Sequence, residues 1–275
     1  MKIQQIKLIL VSVLFLLTMQ LAAQETVNVP LSNPSKPGTL KMGILNGSIT
    51  VKGYSGSEVI VKGTRRESNK KYYSGRKTGK KSTNGLKRIS VNSLEFSATE
   101  YDNEVRVKSS HHGTTDFEIQ VPKNFSLKIS TTNRGEIYVE NVNGTMDISN
   151  TNGKITLKDI SGSVSADALN KDIVVNFVKV TPNVAMAFSS LNGDIDITFP
   201  KTIKADIKVK SDRGEIYTDF DLKAKPSKAK ITKGEGSKGN SYRVQVEKWI
   251  VGSINGGGAE ILFKNFNGDV IIRSN

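Results

Sequence analysis

The sequence predicts an all-β fold, a single-chain β-solenoid or β-helix built from short strands joined at Asn-Gly turns and carrying long basic loops. Three observations predict it: a nine-residue repeat between Arg134 and Val178, strand-type spacing of the apolar residues inside each unit, and the return of the same units toward both ends of the chain.

Read from its glycine, the repeat begins at Gly135, Gly144, Gly153 and Gly162, with Lys171 where a fifth glycine would fall. Two positions on stand Ile137, Met146, Ile155, Val164 and Ile173; four on stand Val139, Ile148, Leu157, Ala166 and Val175. These two offsets are the period of a strand with one face buried. A third column, seven on, reads Val142, Thr151, Ile160, Leu169 and Val178, and Thr151 breaks it. The step from four to seven departs from the strand period, so a corner lies between. Asn141, Asn150 and Asp159 hold the sixth position, where a side chain that bonds its own backbone and tolerates unusual dihedrals suits a bend. The pairs Asn143-Gly144 and Asn152-Gly153 are expected to supply the positive φ of a tight turn before each strand.

An antiparallel meander also uses Asn-Gly turns. It would keep strict alternation through the sixth position, which this sequence does not. Stacked coils account for all three columns. The repeat then loosens but continues: Arg134-Gly135-Glu136-Ile137-Tyr138 recurs verbatim from Arg213 to Tyr217, and Asn192-Gly193-Asp194-Ile195 is echoed by Asn46-Gly47-Ser48-Ile49 and Asn267-Gly268-Asp269-Val270. One domain over residues 24–275 is expected.

Residues 1–23 read as a secretory signal peptide: Lys2 and Lys7 precede an apolar run from Leu8 to Leu17 that is too short to span a bilayer. Cleavage after Ala23 is expected, leaving an exported chain without a transmembrane segment, in the periplasm, on the cell surface or outside the cell. The chain has no cysteine, which excludes disulfides, thiolate metal sites and a lipid-bearing cysteine behind the signal.

Removing two signal-peptide lysines takes the formal charge from +14 to +12. Most of it is local. Residues 64–88 carry ten basic residues against Glu67 alone, and residues 223–248 carry eight against two. The remainder sums to about −3. Neither segment alternates like a strand, so both, about 64–88 and 223–243, are expected to be long loops projecting from the solenoid. A solvated, solubilising insertion is the plain reading. The sharper one is an anion-binding surface made of Arg65, Arg66, Lys70, Lys71, Arg76, Lys77, Lys80 and Lys81. On an exported protein its partners would be anionic envelope glycan or lipid, or an envelope protein. Intracellular nucleic acid is excluded by compartment.

Chemistry is hard to find. Taken after every glycine, the next residues are Glu136, Thr145, Lys154, Ser163 and Asp172, which form no column of carboxylates. The pairs Asp194/Asp196 and Asp219/Asp221 suit a solvated outer face. His111 and His112 are adjacent in a polar stretch, and neighbours on an extended chain point apart. No Gly-x-Ser-x-Gly elbow and no phosphate loop occurs. Gly256 to Gly258 read as a close-packed turn, and Trp249 as a core or capping aromatic. The expectation is a protein that is not an enzyme, with no catalytic residue, no cofactor and no metal ligand.

With the Gly47-Ser48-Ile49-Thr50-Val51-Lys52-Gly53 opening, the Glu58-Val59-Ile60-Val61 strand, the Ile119-Gln120-Val121-Pro122 step and the recurring Asn-Gly-x-Ile units, the chain resembles a bacterial domain-of-unknown-function family with β-strand repeats, provisionally labelled adhesin. It is similar in style to auto-transporter adhesin head GIN domains. The resemblance covers residues 25–275 and implies a β-helical fold and an adhesive or scaffolding role at the cell envelope, with no catalytic residues to carry over. Two rivals stand beside it: a carbohydrate-active enzyme on a β-helix, which needs an acidic cluster, and an envelope sensor or structural protein, which needs apolar residues on the outer strand faces.

Overall fold

The computed structural model describes residues 24–66, 94–110, 113–222, 225–226, 230–236, 239–245 and 249–275. Among them the regular structure is strand throughout. In chain order the strands are β1 (Gln24–Pro30), β2 (Gly38–Asn46), β3 (Ile49–Tyr54), β4 (Glu58–Arg66), β5 (Phe96–Tyr101), β6 (Glu104–Ser109), β7 (Thr114–Pro122) and β8 (Phe125–Asn133). They continue as β9 (Ile137–Glu140), β10 (Asn143–Asn150), β11 (Ile155–Ala168), β12 (Ile173–Val180), β13 (Met186–Asn192), β14 (Ile195–Phe199), β15 (Ala205–Ser211) and β16 (Ile216–Thr218). The last are β17 (Lys225–Pro226), β18 (Lys230–Gly236), β19 (Gly239–Gln245), β20 (Ile250–Ile254), β21 (Ala259–Asn267) and β22 (Val270–Ser274).

The nine-residue unit is one strand and one turn, which is half a coil. Gly144 pairs with Gly162, and Ile155 pairs with both Ile137 and Ile173, so each unit meets the unit two places on rather than its neighbour. Alternate units therefore belong to two layers. In the first, parallel pairing runs β6, β2, β8, β10, the latter half of β11, β13, β21, β15. In the second it runs β7, β3, β9, the first part of β11, β12, β14, β22, β16. The β11 strand crosses from one layer to the other, with Asp159 at φ 51° and Gly162 at φ 121° beside its register shifts. Asn141, at the matching sixth position, has φ 59°, whereas Asn143-Gly144 and Asn152-Gly153 stay out of the left-handed region, so the left-handed residues here are the sixth-position Asn141 and Asp159 and not these two Asn-Gly pairs.

Both terminal coils are interleaved. The β2–β3 coil lies between β6–β7 and β8–β9, and the β21–β22 coil lies between β13–β14 and β15–β16, although every residue of β15 and β16 precedes it in sequence. Antiparallel strands cap the stack, as an exposed solenoid edge requires. At one end β5 covers β6 while β4 and then β1 cover β7; at the other, β20 and then β17 cover β15.

The first two apolar columns are buried: Ile137, Val139, Met146, Ile148, Ile155, Leu157, Ile173 and Val175 expose 1% or less. The third divides. Val142 and Ile160 are buried, Thr151 is half-buried, and Leu169 and Val178 face out at 40% and 59% exposure. Leu169 directly follows β11, whereas Val178 points outward from within β12, so an apolar residue in register is not thereby inside. Phenylalanines fill the wider part of the core: Phe177 stacks on Phe199 at 5.1 Å, Phe188 stacks on Phe263 at 5.3 Å, and the two stacks meet edge to face.

The second basic segment departs from expectation. Lys230–Gly236 and Gly239–Gln245 form an antiparallel hairpin rather than a loop. The run Lys-Ile-Thr-Lys opposite Tyr-Arg-Val-Gln carries a weak alternation, which its lysine content hides.

Candidate functional site

One corner of the coil is occupied by two polar ladders. Asn152 donates to Asn133 at 2.6 Å, Asn170 to Asn152 at 2.7 Å, Asn192 to Asn170 at 2.9 Å and Asn267 to Asn192 at 2.7 Å. Beside it runs the carboxylate column that a nine-residue reading misses. Taken one coil at a time, the residues after the turn are Ser48, Glu136, Lys154, Asp172, Asp194, Asp269 and Glu215. Asp172 Oδ1 accepts the backbone N–H of Asp194 at 3.1 Å, Asp194 Oδ1 that of Asp269 at 2.9 Å, and Asp269 Oδ1 that of Glu215 at 2.9 Å. These acids satisfy donors that the turn would otherwise leave open. The other paired acids are similarly engaged: Asp196 holds Arg273 at 2.8 Å, and Asp219 accepts the Ser274 N–H at 2.7 Å.

The outer face of the first layer is shaped differently at its capped end. The pairing of β2 with β6 stops at Met42–Val107, whereas β2 stays paired to β8 as far as Asn46, and β6 stays paired to β5 as far as Ser109. Where β6 parts from β2 a groove of about 1020 Å³ opens. Its cations are Lys41, Arg106, Lys108 and Lys128, with Asp147 as the lining carboxylate. Glu104 takes Lys41 and Arg106 at 2.6 Å each, and Lys128 lies 3.0 Å from Asp147. The Lys41 ammonium first, and then the Arg106 guanidinium, hold the Glu104 carboxyl below its ordinary range. Lys108 is exposed and, among the described residues, makes no ion pair.

Of the eight cations expected to bind anions, Arg65 and Arg66 are described; Lys70, Lys71, Arg76, Lys77, Lys80 and Lys81 lie outside the described residues, as do His111 and His112. Arg66 clamps the corner: it reaches Asp116 through Nε at 2.9 Å and Nη2 at 2.5 Å, and donates Nη1 to the Arg134 carbonyl at 2.6 Å. Arg65 pairs across β4 and β7 with Thr115, and its guanidinium passes over Gly113, where an added Cβ would stand 3.2 Å from Nη2. Thr115 and Gly113 both line the groove.

Two further features escaped the sequence reading. Leu45, Leu169, Leu191 and Phe266, each directly before a corner asparagine, expose 48%, 40%, 42% and 37%, and Arg213 lies over the Phe266 ring at 5.0 Å. Trp249 is half-buried outside the core, under the Lys208 ammonium at 4.8 Å. The apolar row was legible as Leu or Phe before Asn once the full coil sets the period. No helix among the described residues is long and apolar enough to cross a membrane, and they hold no metal-ligating group of three or more His, Cys, Asp or Glu side chains.

Residues 28–248 match the family model described as Toastrack DUF4097. The chain belongs to the Toastrack DUF4097 family. The Toastrack match ends before β20, so the interleaved β21–β22 coil lies beyond it. A solved structure from Clostridium sporogenes, provisionally described as a cell adhesion protein, is similar over 92% of this chain and 100% of its own, with 12% identity and a TM-score of 0.45. No curated protein matches this Toastrack sequence significantly.

Proposed function

We propose that this Toastrack protein is exported and works at the cell envelope by binding rather than catalysis, as an adhesin-like scaffold in the style of head GIN domains. Its basic surface engages anionic glycan or lipid. One observation carries the reading: the segment with ten cations against one acid continues from β4, whose Arg65 lies across Thr115 and Gly113 at the rim of the cationic groove. A segment this dense in cations on an otherwise near-neutral chain attracts polyanions and makes their capture salt-sensitive.

The experiment is binding of the mature chain, and of a variant lacking residues 68–86, to acidic and neutral envelope glycans and to anionic vesicles across a salt series. Binding that falls steeply with salt and weakens in the deletion variant is expected. Salt-insensitive binding, or none in either protein, overturns the reading. The exposed row Leu169, Leu191 and Phe266 favours a second reading, an envelope structural protein docked through that corner. In that case Leu191→Lys releases the chain from envelope fractions and leaves glycan binding intact.

A further inference from the structure

We infer that the groove between β2 and β6 is a binding site for a linear glycan with a carboxylate on every ring, lying along the solenoid axis. This inference rests on the anion-binding reading above and names its site and ligand.

Arg106 pairs with Lys41, and Lys41 with Lys128, so three cations stand in one transverse row on three adjacent strands. Neighbouring strands are about 4.8 Å apart, close to the advance of one pyranose ring along a linear glycan. Those ring carboxylates that face the protein can therefore meet cations of this row. Glu104 and Asp147 hold these cations in place, so less side-chain freedom is lost when the ligand arrives.

Two residues further along each strand the outward positions are small: Gly43 pairs with Ser130, and Ser130 with Ser149. A Cβ added at Gly43 would come within 2.9 Å of Ser130 Oγ, so the floor there is close-packed and low. Its serines offer hydroxyls to ring oxygens. Two residues further again, Leu45 and Thr132 form the opposite wall, and Leu45, 48% exposed, presents an apolar surface to the C–H face of a sugar. Cations on one side, hydroxyls below and an aliphatic wall opposite match the three surfaces of a uronic acid ring. Lys108, exposed on β6, adds to the positive charge of the lining.

The test is calorimetric titration of the mature chain with a galacturonate hexamer, its neutral methyl ester, and a sulfated dextran. The expected result is binding of the hexamer, with no binding of its ester. Removing two charged contacts in Lys41→Gln/Lys128→Gln is expected to weaken it about tenfold or more. Ser130→Tyr fills the floor and is expected to abolish it, while Lys41→Arg retains it; thermal melts confirm that each variant folds. The variant lacking residues 68–86 keeps the hexamer site. Unchanged hexamer affinity in both groove variants overturns the inference, and if the deletion alone then loses polyanion binding, the broader reading survives without the groove. Equal binding of the ester, or a groove that takes only the sulfated dextran, overturns the carboxylate assignment. Failure of every polyanion to bind any of the proteins overturns both.

Discussion

The carboxylate of Asp194 accepts the backbone N–H of Asp269 at 2.9 Å, joining residues 75 apart in sequence. Together with the Asn267–Asn192 side-chain bond at 2.7 Å and the bond from Gly193 N–H to the Asn267 carbonyl at 3.0 Å, it seats the last coil between two earlier ones. The terminal segment is thus an internal part of the stack.

Deleting residues 259–275 should consequently cost more than the loss of an end coil. It removes the strands on which β15 and β16 depend for their parallel pairing and uncovers Phe188 and Phe199. Because each coil contacts only its neighbours, the earlier coils keep their own interfaces. Limited proteolysis with mass spectrometry should show a resistant core whose C-terminal boundary lies near Phe199. A truncated chain protected through Ser211 contradicts this.

The rung itself is testable by a pair of substitutions. Asp194→Ala leaves the Asp269 N–H without its acceptor and should lower stability by about 1–2 kcal/mol in urea unfolding, whereas Asp194→Asn keeps an acceptor oxygen and should cost less. Equal loss in the two variants would assign the effect to something other than the bond.

Asn150 presents a buried version of the same problem. It exposes 2% of its surface, accepts the Gly153 N–H at 2.9 Å and donates to the Gly135 carbonyl at 3.2 Å. Asn150→Ala strips partners from both groups in a place water reaches poorly, with an expected cost of about 2–4 kcal/mol. Chemical denaturation measures it, and a loss as small as that of Asp194→Asn would mean that water replaces the amide.

Gly162 is needed for two reasons that act together. Its φ is 121°, and a Cβ there would stand 2.0 Å from the Gly144 carbonyl oxygen on the next rung. Neither backbone can retreat without opening the β10–β11 pairing, so Gly162→Ala should destabilise by about 3 kcal/mol or more. A melting temperature close to wild type would show that β11 can cross between layers by another path.

The solenoid was legible because its determinants are local and repeated. Ile137, Ile155 and Ile173 sit at a strand's spacing, and Asn141 and Asp159 announce the bends they make. The order of the stack was hidden, since nothing within Ala259–Ser274 says that it will enter a gap between strands whose paired residues lie 54 and 75 positions earlier. The carboxylate column was missed for a simpler reason: counting by nines mixes the two layers, so Thr145 and Ser163 interrupt Glu136, Lys154 and Asp172. The groove depends on where β6 stops pairing with β2, a long-range event that leaves no mark on Lys108 or Gly43 taken singly.

Acid should loosen the capped end first, through Glu100. Its carboxylate accepts the Ser32 N–H at 3.0 Å, the Asn103 N–H at 2.8 Å and the Ser32 hydroxyl at 2.9 Å, tying the connection after β1 to the β5–β6 turn. The Ser32 amide is the largest influence holding this carboxyl below its ordinary range, followed by the Asn103 amide, and burial opposes them. A folded pKa below the unfolded one means the contribution is fully present above the unfolded value. It is lost as the pH falls through the folded one. Wild type should therefore lose stability more steeply than Glu100→Gln as the pH falls through and below the ordinary glutamate range of about 4.3, the two converging at the acid end. Urea midpoints across that range decide the matter, and parallel curves for the two proteins would remove Glu100 from the account of acid stability.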